Sequence, residues 1–127
     1  MAEPPATMTD TPSTPAATDL VAVLVTGPDA DALAALGRRL VEERLAACLN
    51  VLPGARSVYR WEGRVVDEPE AVGILKTVRA CLPRLLERAA ELHPYDVPEL
   101  VALEVAAVAP PYLAWVRDAV ADGEGPA

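Results

Sequence analysis

The only histidine of the 127-residue chain, His93, lies in the stretch ELHPYDVPEL (residues 91–100), followed at once by Pro94 and then by Pro98. Its imidazole is a borderline donor suited to copper or zinc, and a proline on its C-terminal side stiffens the backbone that presents it. The same position has a second reading. A histidine at a helix C-terminus bonds to orphan carbonyls and, when protonated, interacts favourably with the helix dipole. One imidazole supplies one nitrogen, whereas structural zinc sites take about four ligands, so a metal would need donors from elsewhere in the fold. Two cysteines, Cys48 and Cys81, show no CxxC spacing and no secretory signal precedes them. Reduced thiols in a cytoplasmic protein are expected. A Cys48 nucleophile activated by His93 requires hydrogen-bond reach and an orienting third group, and nothing in the spacing supplies either. The chain is therefore read as not an enzyme. Lys76, the sole lysine, stands in ILKT and is expected to pair with an acid such as Glu104 or Glu99.

These groups sit in a chain of formal net charge −8. Such a charge repels nucleic-acid phosphates and anionic lipid heads, so neither nucleic acid nor a membrane is an expected partner, and a cation is the natural guest. Hydrophobic residues make up 52% and aromatics 4%, with no phenylalanine, so the core must be aliphatic. Residues 1–19 are rich in proline, threonine and alanine and read as a disordered leader, with residues 122–127 as a flexible tail. Residues 20–121 remain as one domain, of ordinary domain size, and no stretch approaches the roughly twenty apolar residues of a membrane span.

Within that domain the apolar period changes repeatedly. DLVAVLVTG (19–27) reads as a buried strand. The next segment spaces Leu33, Leu36, Leu40 and Val41 as an amphipathic helix capped by Asp29 or Asp31. Residues 47–79 form a long hairpin with a bulge or kink at Pro53-Gly54 and a turn at Gly63. A second helix tolerates Pro83 in its first turn, carries Leu82, Leu85, Leu86, Ala89 and Leu92 on one stripe, and stops at His93 because of Pro94. A strand over 99–108 and a short helix containing Leu113, Trp115, Val116 and Val120 complete the chain. The order predicts an α+β, ferredoxin-like βαββαβ fold with an additional C-terminal helix. Its antiparallel sheet has the main helices on one face. Strands apolar on both faces predict that copies of the chain cover the other face. Tyr59 and Trp61, beside the hairpin tip, are expected interface residues, Trp61 as the anchor.

The blocks LVTGPD, LVEERLAACLNVLPGARSVYRWEG, ILKT, ELHPYDVPEL and YLAWV, in this order, resemble the CutA family of divalent-cation tolerance proteins over about residues 20 to 120. The resemblance implies a homotrimer akin to the PII signalling proteins. It also implies binding of Cu(II) or another divalent metal ion, a part in metal-ion homeostasis, and no organic cofactor. Cys48 matches the family's cysteine at the start of the second strand, and Glu99 matches the acidic residue of the histidine motif. The implied metal set is therefore Cys48, His93 and Glu99, a combination of thiolate, imidazole and carboxylate. Cys48 retains the alternative of a small buried hydrophobe among Leu45, Leu49 and Val51. Some family members have a further cysteine where this chain has Val25, a departure that favours a borderline Cu(II) or Zn(II) site over Cu(I). The alternative function is a PII-like regulatory or scaffold trimer binding a small metabolite between subunits. The short tip WEGRVVD and the lack of a glycine-rich phosphate cradle count against close PII behaviour.

Overall fold

A computed structural model describes residues 18–120. The expected leader and tail lie outside that span except for Thr18 and Asp19. The Thr18 hydroxyl donates to the Val105 carbonyl at 2.6 Å, and Asp19 pairs with Arg117 at 2.7 Å.

Element order is β1 (Leu20–Gly27), α1 (Ala30–Glu42), β2 (Cys48–Trp61), β3 (Arg64–Val78), a 3-10 turn (Arg79–Cys81), α2 (Leu82–Leu92), β4 (Leu100–Glu104) and α3 (Pro110–Ala119). The strands form one sheet in the order β2-β3-β1-β4, antiparallel at every junction. This is the βαββαβ arrangement expected from the pattern. Asp29 caps α1 by accepting from the Ala32 amide at 2.8 Å, satisfying one of the orphan donors of the first turn. The β2–β3 register shifts between Leu52 and Ala55, where Gly54 takes a φ of +82°, so the proline-glycine pair marks a bulge as expected. At the tip both Glu62 and Gly63 have positive φ, as a two-residue hairpin turn that follows the strand twist demands.

Side chains alternate between the sheet faces. Val21, Val23, Val25 and Leu75 pack under Leu33, Leu36 and Leu40 of α1 and Leu85 and Ala89 of α2. The opposite face begins with Leu20 and Val78, which pair across the sheet and are buried with Val116 and Val120. The additional helix α3 thus closes one end of the face that α1 and α2 leave open. Arg44, at φ +61° after α1, reaches the last turn of α3 and donates to the Asp118 and Val120 carbonyls. Further along the open face, Val101 and Leu103 of β4 are each 45% exposed.

Three local expectations change. Val41 lies outside the buried stripe of α1 and is exposed. Strand β4 stops at Glu104, short of residue 108. Lys76 pairs with neither acid; it donates to Asn50 Oδ1, while Glu104 pairs with Arg79. Lys76, Asn50 and Cys48 share the open face through the β2–β3 register, which brings the amide closer than any carboxylate.

Candidate functional site

Pro94 disfavours helical geometry in the residue before it, and His93 accordingly leaves α2 with an extended ψ of 142°. Its ring turns inward and is 7% exposed. Nδ1 accepts from the Tyr95 amide at 3.1 Å, so Nε2 carries the proton and donates to the Thr26 carbonyl at 2.7 Å. Both nitrogens are engaged in one neutral tautomer. His93 therefore ties the bend at residues 93–99 to the end of β1, and the rings of His93 and Tyr95 meet edge to face at 4.8 Å.

Tyr95, fixed through its amide, donates its hydroxyl to Glu70 Oε2 at 2.8 Å. Glu70 is 8% exposed. On the same face of β3, Glu68 accepts from the Tyr59 hydroxyl at 2.5 Å. Burial, followed by the hydrogen bond to Glu70, pushes the Tyr95 phenol far above its ordinary value. The hydrogen bond to Glu68 pushes Tyr59 up to about 12. Both tyrosines therefore remain protonated donors at neutral pH.

These groups line a cleft of about 550 Å³ between the β2–β3 hairpin and the bend. Glu68, Glu70, Asp96 and Glu99 line it, together with Tyr59, Trp61 and Tyr95, and no lysine or arginine is among its lining residues. Four carboxylates without a counter-charge attract cations and repel anions. A second groove, of about 430 Å³, runs between α1 and β2 beside Gly37 and Leu49; its charged residues Arg38 and Glu42 pair with each other.

The structure does not assemble the expected metal set within one chain. Glu99 lines the cleft, but both His93 nitrogens have protein partners. Cys48 lies elsewhere: it pairs with Lys76, which pairs with Ala22. That position is four residues along β1 from Thr26, or about 13 Å at the rise of a strand. Cys48 is neither fully buried nor among the leucines; its Sγ lies 3.6 Å from the Tyr112 hydroxyl and 4.0 Å from Lys76 Nζ. The thiol contact is the largest cause raising the Tyr112 phenol to about 12. Among the described residues no group of three or more histidine, cysteine, aspartate or glutamate side chains converges as a metal site. The thiolate–imidazole–carboxylate combination thus does not fit a single chain, whereas the cleft offers oxygen donors, the type preferred by hard and borderline divalent cations.

Tyr59 and Trp61 are 39% and 46% exposed and belong to the cleft wall. Trp115 is also exposed, its ring tilted against that of Tyr112 with centroids 5.6 Å apart. Sequence reasoning missed Glu70, Glu68, Thr26 and Tyr112. Glu70 stands 25 residues from Tyr95, and with Glu68 and Val72 as its neighbours on that strand face no local pattern singles it out.

Residues 21–119 match the family model described as CutA1 divalent ion tolerance protein. A divalent-cation tolerance protein CutA from Thermus thermophilus is 47% identical over 96 residues, covering 76% of this chain and 93% of that protein. A chloroplastic CutA protein of Arabidopsis thaliana is 41% identical, covering 77% of this chain and 54% of that longer protein. Among solved structures, CutA from Xylella fastidiosa superposes with a TM-score of 0.78 at 37% identity, covering 81% of this chain and 99% of that chain. The solved divalent cation tolerance protein of Thermus thermophilus gives a TM-score of 0.76 at 44% identity, over 80% and 98% of the two chains.

Proposed function

The chain belongs to the CutA1 divalent ion tolerance family, and from that premise we propose that it is a cytoplasmic homotrimer that binds divalent transition metals, foremost Cu(II), in metal-ion homeostasis. The observation that carries the reading is the cleft where Glu68, Glu70, Asp96 and Glu99 meet no cationic side chain. Cu(II) leads because it binds most tightly of the divalent first-row ions to a given donor set. Glu68 and Glu70 are held by their tyrosines, while Asp96 and Glu99 are exposed, so neighbouring copies have room to add donors. The open face around Val101 and Leu103 supports self-association. Two cysteines that form no disulfide suit a reducing compartment, and no helix among the described residues is long and apolar enough to cross a membrane.

A second reading, a PII-like trimer binding a small metabolite between subunits, draws support from the cleft volume, which falls in the range of small-molecule sites.

Calorimetric titration of Cu(II), with Zn(II) as comparison, tests the first reading. Saturable uptake that weakens about tenfold or more in Asp96→Asn/Glu99→Gln is expected; both residues are exposed, so the variant keeps its fold. Unsaturable uptake, or uptake indifferent to the substitutions, overturns it.

A further inference from the structure

Three of the cleft's lining residues, Tyr59, Trp61 and Tyr95, are aromatic, and a metal ion has little use for them. A hydrated divalent ion is held by converging donors, and no three such side chains converge among the described residues. Aromatic faces instead attract weakly hydrated organic cations through the ring quadrupole. The phenol donors are already committed, Tyr59 to Glu68 and Tyr95 to Glu70. They orient the carboxylates while leaving acceptor capacity on each glutamate for an incoming N–H group.

A separate observation points the same way. Thr26 is 8% exposed, and its strand parity, opposite to that of Val25, turns its side chain to the face that carries Glu70. It lines the cleft, and its hydroxyl has no hydrogen-bond partner among the described residues. A buried hydroxyl without a partner is costly. Here Thr26 stands in a wall that also carries four carboxylates, three aromatic rings, Ser57 and two valines. His93 fixes the Thr26 backbone from behind by taking up its carbonyl, so the hydroxyl is presented from a rigid strand end.

From the rings, the acceptors and the buried Thr26 hydroxyl we infer that the cleft binds a primary alkylammonium ion. The charged head is held by Glu70 and Thr26, and the alkyl stem lies against the rings of Tyr95 and Trp61. A diamine is the favoured form, since Asp96 and Glu99 supply acceptors for a second ammonium group. The inference rests on the preceding reading only in taking the cleft as a cation site; it adds a second class of cation to that cleft.

The test is calorimetric titration of 1,4-diaminobutane into the full chain with EDTA present, with 1,4-butanediol as the uncharged counterpart. Saturable binding of the diamine is expected, weakened by salt and absent for the diol. It should fall about tenfold or more in Trp61→Ala and in Thr26→Val. Trp61 is half exposed and valine matches threonine in shape, so both variants retain the fold, which circular dichroism verifies, and sedimentation equilibrium verifies that each keeps the wild-type mass. No saturable diamine binding, or binding equal in wild type and both variants, overturns the inference. Cu(II) is titrated separately without EDTA. Copper binding without diamine binding sinks this inference and leaves the metal reading standing; diamine binding without copper binding does the reverse; loss of both removes the cleft as a cation site.

Discussion

Tyr95 is held at both ends: its amide donates to His93 and its hydroxyl to Glu70. Tyr95→Phe keeps the ring and the amide bond and removes only the hydroxyl. The Glu70 carboxylate stays almost buried with one donor fewer, so a loss of about 1–2 kcal/mol is expected at neutral pH, near the middle of the range for such deletions. Thermal unfolding from pH 8 upward reads the linkage. A phenol whose folded value is raised above the ordinary 10 stabilises fully below pH 10 and loses that contribution as pH rises through the folded value. The wild type should therefore lose stability above pH 10, with Tyr59 titrating at about 12, and Tyr95→Phe should lose less over the same window. An identical alkaline decline in both proteins would remove Tyr95 from the account. The position of His93 at a helix end was legible from Pro94 alone. Which partners its nitrogens take was not, because Thr26 is 67 residues away and no local pattern links them.

At the level of elements, the packing of α1 on β2 depends on Gly37. A Cβ there meets Leu49 Cδ2 at 2.4 Å and Leu49 Cβ at 2.9 Å. The Cδ2 atom can swing away, but the Cβ moves only with the strand. Alanine in a helix gains about 1 kcal/mol over glycine, and overpacking costs about 1–3 kcal/mol. The steric cost prevails, and Gly37→Ala should lower the urea midpoint by an amount corresponding to about 1 kcal/mol; a raised midpoint would mean that the helix and strand separate freely. At the C-terminal end of α1, Glu43 ties this helix to α2 by accepting from Arg88, and it also accepts from Arg39 of α1 itself. Arg88 is the first cause holding its carboxyl below the usual range. Element types, the Asp29 cap, the bulge at Pro53-Gly54 and the stop at His93 could all be read from periodicity and punctuation, which are local. The end of β4 could not: Val105 and Val108 continue the apolar pattern but leave the ladder to pack against the α3 cluster.

For the whole molecule, the outstanding feature is apolar surface on an acidic chain. Outside the cleft, Val101, Leu103, Val65 and Trp115 are all exposed, which is the surface the proposed trimer requires. Leu103→Glu places a charge on the open face without entering the core. Sedimentation equilibrium should then show a lower mass than the wild type at equal concentration, and its unfolding temperature should fall on dilution more steeply than that of the wild type. An unchanged mass excludes β4 from the interface. The amino-acid sequence by itself determined the order of strands and helices, the aliphatic core and the acidic net charge, because hydrophobic period, turn chemistry and charge are carried by neighbouring residues or by simple addition. Only the tertiary structure decided that His93 is a tie rather than an open ligand within one chain, that Cys48 belongs with Tyr112 and Lys76, and that Tyr59, Glu68, Glu70 and Tyr95 share a cleft. Those relations depend on strand register and on which face each side chain takes, and a shift of one residue would reverse the face.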